Sequence, residues 1–491
     1  MKSIKSAGFP LFFLLPAIIL LSHPSGVLLA QLEREFLVNA EEVEVIPGNL
    51  IVFGLIAAGV YDTDMVINDV GIYKITYNTI DVFGNPTVAS GAMYVPLIDA
   101  DSIPIISYQH GTVMDREEVP SRRSDDPAGL FYAGNGYITT LPDYLGLGDH
   151  PGLHPYLHWE SEATATIDLI RAAREFLNDS LLIWDNHLFI TGYSQGGHAA
   201  MAAHKYIHMN DLQSEFRVTA SAPMSGSYPL SSTQFEHIFS KDSTYNGSYY
   251  IPYIIASYQY VYGNLYDDPS HYYDPPYDSI FAAWELSGNF FEDYPMGSLP
   301  KNFYEFMQDS VMENLLEDFN HPLRIALRKN DLHNWAPQEP VRLIYCGMDD
   351  VVPPLCATTT RDTMQMLGAP DVLAVSAGAE YNHGSCALPA FLYALDWFDS
   401  MSKEQALFNG EIPAVPEIRL YPNPVNTLLT VETGAIGRTF VEIHSINGQL
   451  VYQSHSERNI HQIDFTSLRK GIYFITIRSG DFVATRKIVK H

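Results

Sequence analysis

The sequence predicts an α/β fold: a mostly parallel sheet covered by helices on both faces, with an inserted cap domain, followed by a small all-β sandwich. Three observations predict it. Short apolar strands alternate with amphipathic helices through most of the chain. That rhythm is interrupted between about Ser225 and Pro340. The residues after Glu417 then become short β segments separated by turn residues.

The elements follow in order. Residues 71–96 read as strand, turn, strand around Phe83-Gly84-Asn85-Pro86. Residues 102–108 (SIPIISY) form a short apolar strand. From Glu160 to Leu177, apolar residues Ala165, Leu169, Ala172, Ala173 and Phe176 recur at helical spacing. HLFITG (187–192) is a buried strand and GGHAAMAAHKYIHM (196–209) a helix. VRLIYCG (341–347) is a third short strand, with a helix around Thr359–Leu367. The interruption is too long for a plain loop and is dense in tyrosine from Tyr245 to Tyr277, so it is expected to fold as a cap. In the tail, Ile446-Asn447-Gly448 supplies a hairpin signal between two β segments. The Pro-bearing stretch 411–417 is the expected linker, giving a body over 31–410, a cap insertion over about 225–340 and a sandwich over 418–491.

Composition narrows the function. With 46% hydrophobic and 17% charged residues the chain can bury a large core. Its net charge of −29 argues against nucleic acid and anionic membrane surfaces, which need a basic footprint. The acid is uneven: residues 417–491 hold nine Lys/Arg against six Asp/Glu, so a near-neutral tail follows a very acidic body. Lys2 and Lys5, the apolar run Phe9–Leu21 and a cut after Ala30 make residues 1–30 a secretory signal. Pro10 and Pro16 interrupt that run, which falls short of the roughly 20 residues of a membrane span. No later segment is apolar and long enough to span, so no transmembrane segment is expected in the mature protein. Three cysteines allow one bridge, expected between Cys356 and Cys386, with Cys346 left over.

Gly192-Tyr193-Ser194-Gln195-Gly196 is a G-x-S-x-G between a predicted strand and a predicted helix. Small flanking residues let the serine sit on a strained turn that projects its hydroxyl, and the helix N-terminus favours negative charge there. A hydroxyl needs a base, and in such a layout the partners follow as acid, then histidine. His383 in YNHGSC is the expected base. The acid is Asp349 or Asp350: spacing from Val352-Pro353 favours Asp349, whereas spacing from Gly347 selects Asp350. The oxyanion donors are expected from the backbone of Gln195 and from Gly111 or Thr112 in the loop after SIPIISY. His110 is expected to shape that loop.

With these residues placed, the body resembles the α/β-hydrolase superfamily, in particular its secreted lipase/esterase branch. The matching pieces are YQHGT (108–112), LPDYLGLGDHPGLHPY (141–156), GYSQGGH (192–198), YCGMDDVVP (345–353) and YNHGSC (381–386). The resemblance implies a triad of Ser194, Asp349 and His383 and an oxyanion hole from Gln195 with Gly111 or Thr112. It implies wall-shaping for Pro142–Gly148, with Asp143 structural. The tail resembles the C-terminal sorting domain of type IX secretion through LYPNP (420–424), NGQ (447–449), GIYF (471–474) and RKIVK (486–490). That implies a secretion-machinery partner and a released or surface-attached enzyme.

Other groups have plainer readings. His204 and His208 stand four apart on a helix but lack the glutamate of a zinc motif. Pro151 and Pro155 break any helix carrying His150, His154 and His158, which are expected to be structural or solvent-facing. The tyrosines of the cap could stack on sugars or bury an acyl chain. The expected activity is hydrolysis of small-molecule or lipid carboxylic esters through an acyl-enzyme, with no metal or organic cofactor. Two alternatives stand: a serine peptidase on the same fold, and a catalytically silent surface protein binding glycans through the cap.

Overall fold

The computed structural model describes residues 35–57, 67–98, 100, 102–180, 184–239, 245–288, 299–409, 418–433, 439–445, 449–456, 460–479 and 482–491. The expected signal (1–30), the linker (411–417) and the hairpin signal at 446–448 lie outside them.

Body strands are β1 (Leu37–Ile46), β2 (Val70–Ile80), β3 (Pro86–Pro96), β4 (Ile103–Gln109), β5 (Ile138–Pro142), β6 (Trp184–Tyr193), β7 (Val218–Met224), β8 (Val341–Cys346) and β9 (Val372–Gly378). They form one sheet in the order β1-β2-β3-β5-β4-β6-β7-β8-β9. The β1–β2, β2–β3 and β3–β5 pairings are antiparallel, and every pairing from β5–β4 onward to β9 is parallel. The sheet is therefore mixed, with the parallel half carrying the G-x-S-x-G strand β6 near its middle.

Helices α1 (Gly48–Ala57), α2 (Pro127–Gly134), α3 (Trp159–Asp179) and α4 (Gln195–Met209) belong to this body, as do the short α5 (Gln213–Phe216) and, after β8, α11 (Pro354–Met366) and α12 (His383–Asn409). They cover both faces. Ile105 and Ile190 pack with Leu169 and Ile170 of α3 and Ala203 of α4. Their chain neighbours Ile106 and Phe189 point the other way, onto Tyr132 of α2 and Phe398 of α12. Side chains that alternate along a strand bury both sides only when each side has a cover, which is why these strands read as unbroken apolar runs.

Between β7 and β8 the described chain holds helices and turns but no strand of the sheet: α6 (Phe235–Ile238), α7 (Tyr250–Tyr262), α8 (Tyr277–Ser287), α9 (Asp309–Glu317) and α10 (Pro322–Lys329). These helices have their own apolar core, which reaches Leu153, Tyr156 and Leu157 of the body. Tyr253, Tyr258 and Tyr273 lie inside that core, so they are interior packing and present no exposed stacking platform.

The tail forms two antiparallel sheets. One is β10 (Ile418–Tyr421), β11 (Leu428–Thr433) and β14 (Ile460–Asp464); the other is β13 (Leu450–Ser456), β12 (Thr439–Ser445), β15 (Gly471–Ser479) and β16 (Phe482–Lys490). Val431 and Ile463 of the first share a buried cluster with Val441, Ile475 and Ile477 of the second. Among the described residues no helix is long and apolar enough to cross a membrane.

Candidate active site

The site starts at the turn from β6 into α4. A Cβ on Gly196 would stand 1.9 Å from the Gln109 carbonyl oxygen, and one on Gly192 would stand 2.3 Å from that of Gly196. Neither position admits a side chain, so both glycines of the motif are steric requirements. Between them Ser194 adopts φ 60° and ψ −117°, a left-handed conformation that a non-glycine residue reaches at a cost of about 1–3 kcal/mol. The turn is held by Ser194 N–H donating to the Met224 carbonyl (3.0 Å) and by Gly197 N–H donating to the Ser194 carbonyl (2.9 Å). The hydroxyl stands directly before the N-terminus of α4, whose amides favour negative charge.

Two later segments converge on that hydroxyl. His383 Nε2 lies 2.8 Å from Ser194 Oγ, and His383 Nδ1 lies 2.9 Å from each carboxylate oxygen of Asp349. Asp349 is buried, and its Oδ1 accepts from the backbone N–H of Val351 (3.1 Å) and Val352 (2.8 Å), which fixes the carboxylate in place. Asp350 faces elsewhere: its Oδ2 accepts from Asn246 Nδ2 at 2.8 Å, and its Oδ1 meets only the backbone N–H of His383, at 3.4 Å. The structure thus brings Ser194, His383 and Asp349 together and leaves Asp350 off the imidazole ring. His383 is the first residue of helix α12. The Tyr193 hydroxyl donates to the His383 carbonyl at 2.5 Å, tying that helix start to the nucleophile turn.

The expected Cys356–Cys386 bridge is corrected. Cys346 pairs with Cys386, and Cys356 is a buried free thiol. Cys346 ends β8 three residues before Asp349, and Cys386 lies three residues after His383. The bridge therefore clamps the acid loop to the histidine helix. Cys356 lies on α11, where its Sγ donates to Gln234 Oε1 at 3.4 Å and burial pushes the thiol pKa up.

On the opposite side, a Cβ on Gly111 would lie 3.4 Å from the Tyr193 carbonyl oxygen and 3.9 Å from Ser194 Cβ, so this backbone runs beside Ser194. Thr112 Oγ1 is 2.7 Å from the Tyr156 hydroxyl. His110 Nδ1 meets the Gly111 carbonyl (2.7 Å), as suits a residue that shapes this loop. Asp143 is fully buried; it accepts from Ser90 Oγ (2.5 Å) and Ser121 N–H (2.9 Å), and burial raises its pKa.

Beneath the turn lies a polar cluster that sequence reasoning missed. Glu162 Oε2 is 2.6 Å from His198 Nδ1, and both residues are at most 1% exposed. Gln195 Nε2 donates to Glu162 Oε1 at 3.1 Å and meets His154 Nε2 at 2.8 Å. The Leu145 carbonyl, 2.8 Å from His154 Nδ1, can only accept, so the ring proton sits on Nδ1 and Nε2 accepts from Gln195. Burial lowers the His154 pKa to about 3, which keeps the ring neutral. His198 Nε2 reaches the Asn330 carbonyl (3.2 Å), and Asn330 Nδ2 donates to the Tyr262 hydroxyl (2.9 Å). One signal was available: Glu162 falls in register with Ala165, Leu169 and Ala172, a carboxylate on the stripe that α3 buries.

His150, His158 and His204 are held in structural contacts. His150 and His158 are buried, not solvent-facing, with His150 Nδ1 accepting from Gly146 N–H (2.9 Å) and His158 Nδ1 bonded to Ser161 Oγ (3.0 Å). His204 bonds Ser221 Oγ (2.8 Å) and Glu339 (3.1 Å). Among the described residues no group of three or more His, Cys, Asp or Glu is placed to hold a metal.

Comparison with known proteins bears on the fold of the body and on the tail. Residues 419–491 match the family model of the secretion system C-terminal sorting domain. No curated protein matches the sequence. Among solved structures, a candidate hydrolase from Legionella pneumophila is 25% identical with a TM-score of 0.68, covering 76% of this chain and 99% of its own. The rice cell wall degrading esterase LipA from Xanthomonas oryzae is 27% identical with a TM-score of 0.65, covering 77% and 100%. Candida antarctica lipase A in its closed state shares the fold alone, at 15% identity and a TM-score of 0.56 over 78% of this chain and 84% of its own. The body has the α/β-hydrolase fold of these neighbours, and the tail is a type IX sorting domain. The protein is accordingly secreted or attached at the cell surface.

Proposed function

We propose that this chain is a secreted serine hydrolase of carboxylic esters, an esterase or lipase. The observation that carries the reading is the continuous hydrogen-bond line from Asp349 through His383 to Ser194, ending on a strained hydroxyl at a helix N-terminus. Ser194 Oγ attacks the ester carbonyl while His383 Nε2 takes its proton. The negative oxygen of the tetrahedral intermediate is met by the backbone N–H of Gln195 and by that of Gly111 or Thr112. His383 returns the proton to the departing alkoxide, leaving an acyl-enzyme on Ser194. Water then attacks the acyl carbon, gives its proton to His383, and the acid leaves as Ser194 is regenerated. Asp349 holds the imidazole tautomer and stabilises its protonated form. No metal or organic cofactor takes part.

In this reading the helices between β7 and β8 are a cap over the site, and the two tail sheets are a sandwich packed around Val431, Ile443 and Ile475. Residues 1–30 are the export signal, 31–410 the catalytic body and 411–417 the linker. An ester is preferred over a peptide or glycan as the ligand. The Xanthomonas neighbour is an esterase, and Tyr253, Tyr258 and Tyr273 are packed in a core instead of forming an exposed face.

The test is hydrolysis of chromogenic esters by the full chain beside Ser194→Ala, which should lower turnover by on the order of 10⁴–10⁶. Equal turnover in the two would end the reading.

A further inference from the structure

The polar cluster below the turn grips the start of α4 at two points. Gln195 and His198 stand three residues apart on that helix, close enough to share a face. One buried carboxylate of α3 reaches both: Glu162 Oε1 accepts from Gln195 Nε2 at 3.1 Å, and Glu162 Oε2 lies 2.6 Å from His198 Nδ1. The second hydrogen of the Gln195 amide goes to His154 Nε2 at 2.8 Å. Both donors of that amide are thereby used, and the residue is 2% exposed, so its side chain is fixed. Glu162 has an anchored base: four residues on, Thr166 Oγ1 lies 3.2 Å from Oε1 of Gln109, whose carbonyl is the wall that Gly196 meets. As the first residue of α4, Gln195 has no acceptor inside the helix for its own backbone N–H. The same residue carries a gripped side chain and an amide free to meet substrate.

We propose that Glu162 is a positioning residue for the oxyanion: by holding the Gln195 side chain it aims the Gln195 backbone N–H at the negative oxygen of the tetrahedral intermediate. This rests on the ester-hydrolase reading above, in which that N–H is one of the two donors. Aim matters because a donor must stand about 2.7–3.1 Å from where the oxyanion forms, and a misplacement of about 0.5 Å already weakens it. A Gln195 side chain released from Glu162 lets the first turn of α4 rock, and the amide moves with it. The nucleophile is held by other partners: the Ser194 hydroxyl meets His383, and its backbone N–H meets the Met224 carbonyl. Loss of the grip therefore leaves proton transfer in place and weakens a contact that is strongest in the transition state. Such a loss falls on kcat and spares KM.

The experiment measures kcat and KM of the full chain on one chromogenic ester, and inhibition by phenylboronic acid, whose tetrahedral adduct on serine carries the negative charge of the intermediate. Glu162→Ala should lower kcat roughly tenfold to a hundredfold and weaken the boronate by a similar factor, with KM within roughly threefold of the parent. Glu162→Gln can still accept from Gln195 and should stay within roughly threefold of the parent in both readouts. Gln195→Ala keeps the backbone N–H but loses the gripped side chain, so it should match Glu162→Ala. Adding Glu162→Ala to it should cost little more, because the carboxylate acts through that side chain. Thermal unfolding checks each fold, and Gln195→Ala carries the test if Glu162→Ala does not fold. Folded alanine variants with parental kcat and boronate affinity overturn the proposal, as does a loss confined to KM or a Glu162→Gln as slow as Glu162→Ala. Any of these beside Ser194-dependent cleavage by the parent sinks the positioning role alone. A parent that cleaves no ester ends the ester reading itself.

Discussion

The layer below Ser194 and the helical layer that follows β7 are built from different materials. Below, Glu162, His198, Gln195, His154 and Asn330 are all buried, at 2% exposure or less, and joined by hydrogen bonds. On the other side, Leu230, Ile238 and Ile254 belong to a layer whose buried core is mainly aliphatic and aromatic. Buried polar groups hold one geometry because any displacement leaves one of them unpaired. Aliphatic packing is non-directional and tolerates substitution of similar volume. The contrast assigns rigidity to the side that fixes the turn carrying Ser194, and tolerance of substitution to the helical side.

That contrast can be broken in graded steps. The largest effect is expected in the charged line itself. Asp349→Asn should lower kcat by about 10⁴, since an amide stabilises the wrong imidazole tautomer. Asp350→Asn, which loses one long contact to a backbone N–H, should stay within roughly tenfold of the parent. Steady-state kinetics on one chromogenic ester decides between them. Next comes the polar floor: Glu162→Ala leaves His198 Nδ1 without its buried partner and should cost about 1–3 kcal/mol, read from denaturant midpoints.

The floor should also be acid-sensitive. Burial lowers the pKa of His154 to about 3 and of His158 to about 4, below the ordinary 6.5. Between those values the unfolded chain binds protons that the folded chain refuses. Stability is therefore lost as pH falls below about 6.5, each group contributing at most about 1.4 kcal/mol per pH unit, until its folded pKa is reached. Thermal unfolding at pH 7, 6 and 5 should show falling midpoints, and a flat profile would place these rings in contact with water. The smallest effect belongs to the apolar layer. Met312→Leu, buried in the helical core, should cost less than about 1.5 kcal/mol in a denaturant titration.

The parts of this arrangement legible in the sequence are those whose physics is local. The G-x-S-x-G turn announces itself because its two glycines stand at fixed spacing around the serine, although the wall that Gly196 meets, the Gln109 carbonyl, comes from the distant strand β4. Strands β4, β6 and β8 read clearly as apolar runs. Strands β5 (ITTLP) and β7 (VTASAPM) escaped because small and hydroxyl residues dilute the hydrophobic pattern, although their backbones are held by neighbours on both sides. Choosing Asp349 over Asp350 needed the direction of two adjacent side chains, which spacing alone leaves open. The Cys346–Cys386 bridge and the Glu162–His198 pair join positions 40 and 36 residues apart, and only the folded sheet makes them neighbours.

The most direct test of Ser194 as the nucleophile is a mass measurement of the full chain after reaction with a serine-directed organophosphonate. The arrangement predicts one adduct per chain, mapped to the peptide carrying Ser194, and none in Ser194→Ala or His383→Ala. An unmodified parent that still cleaves esters, or an adduct on a different residue, would contradict it.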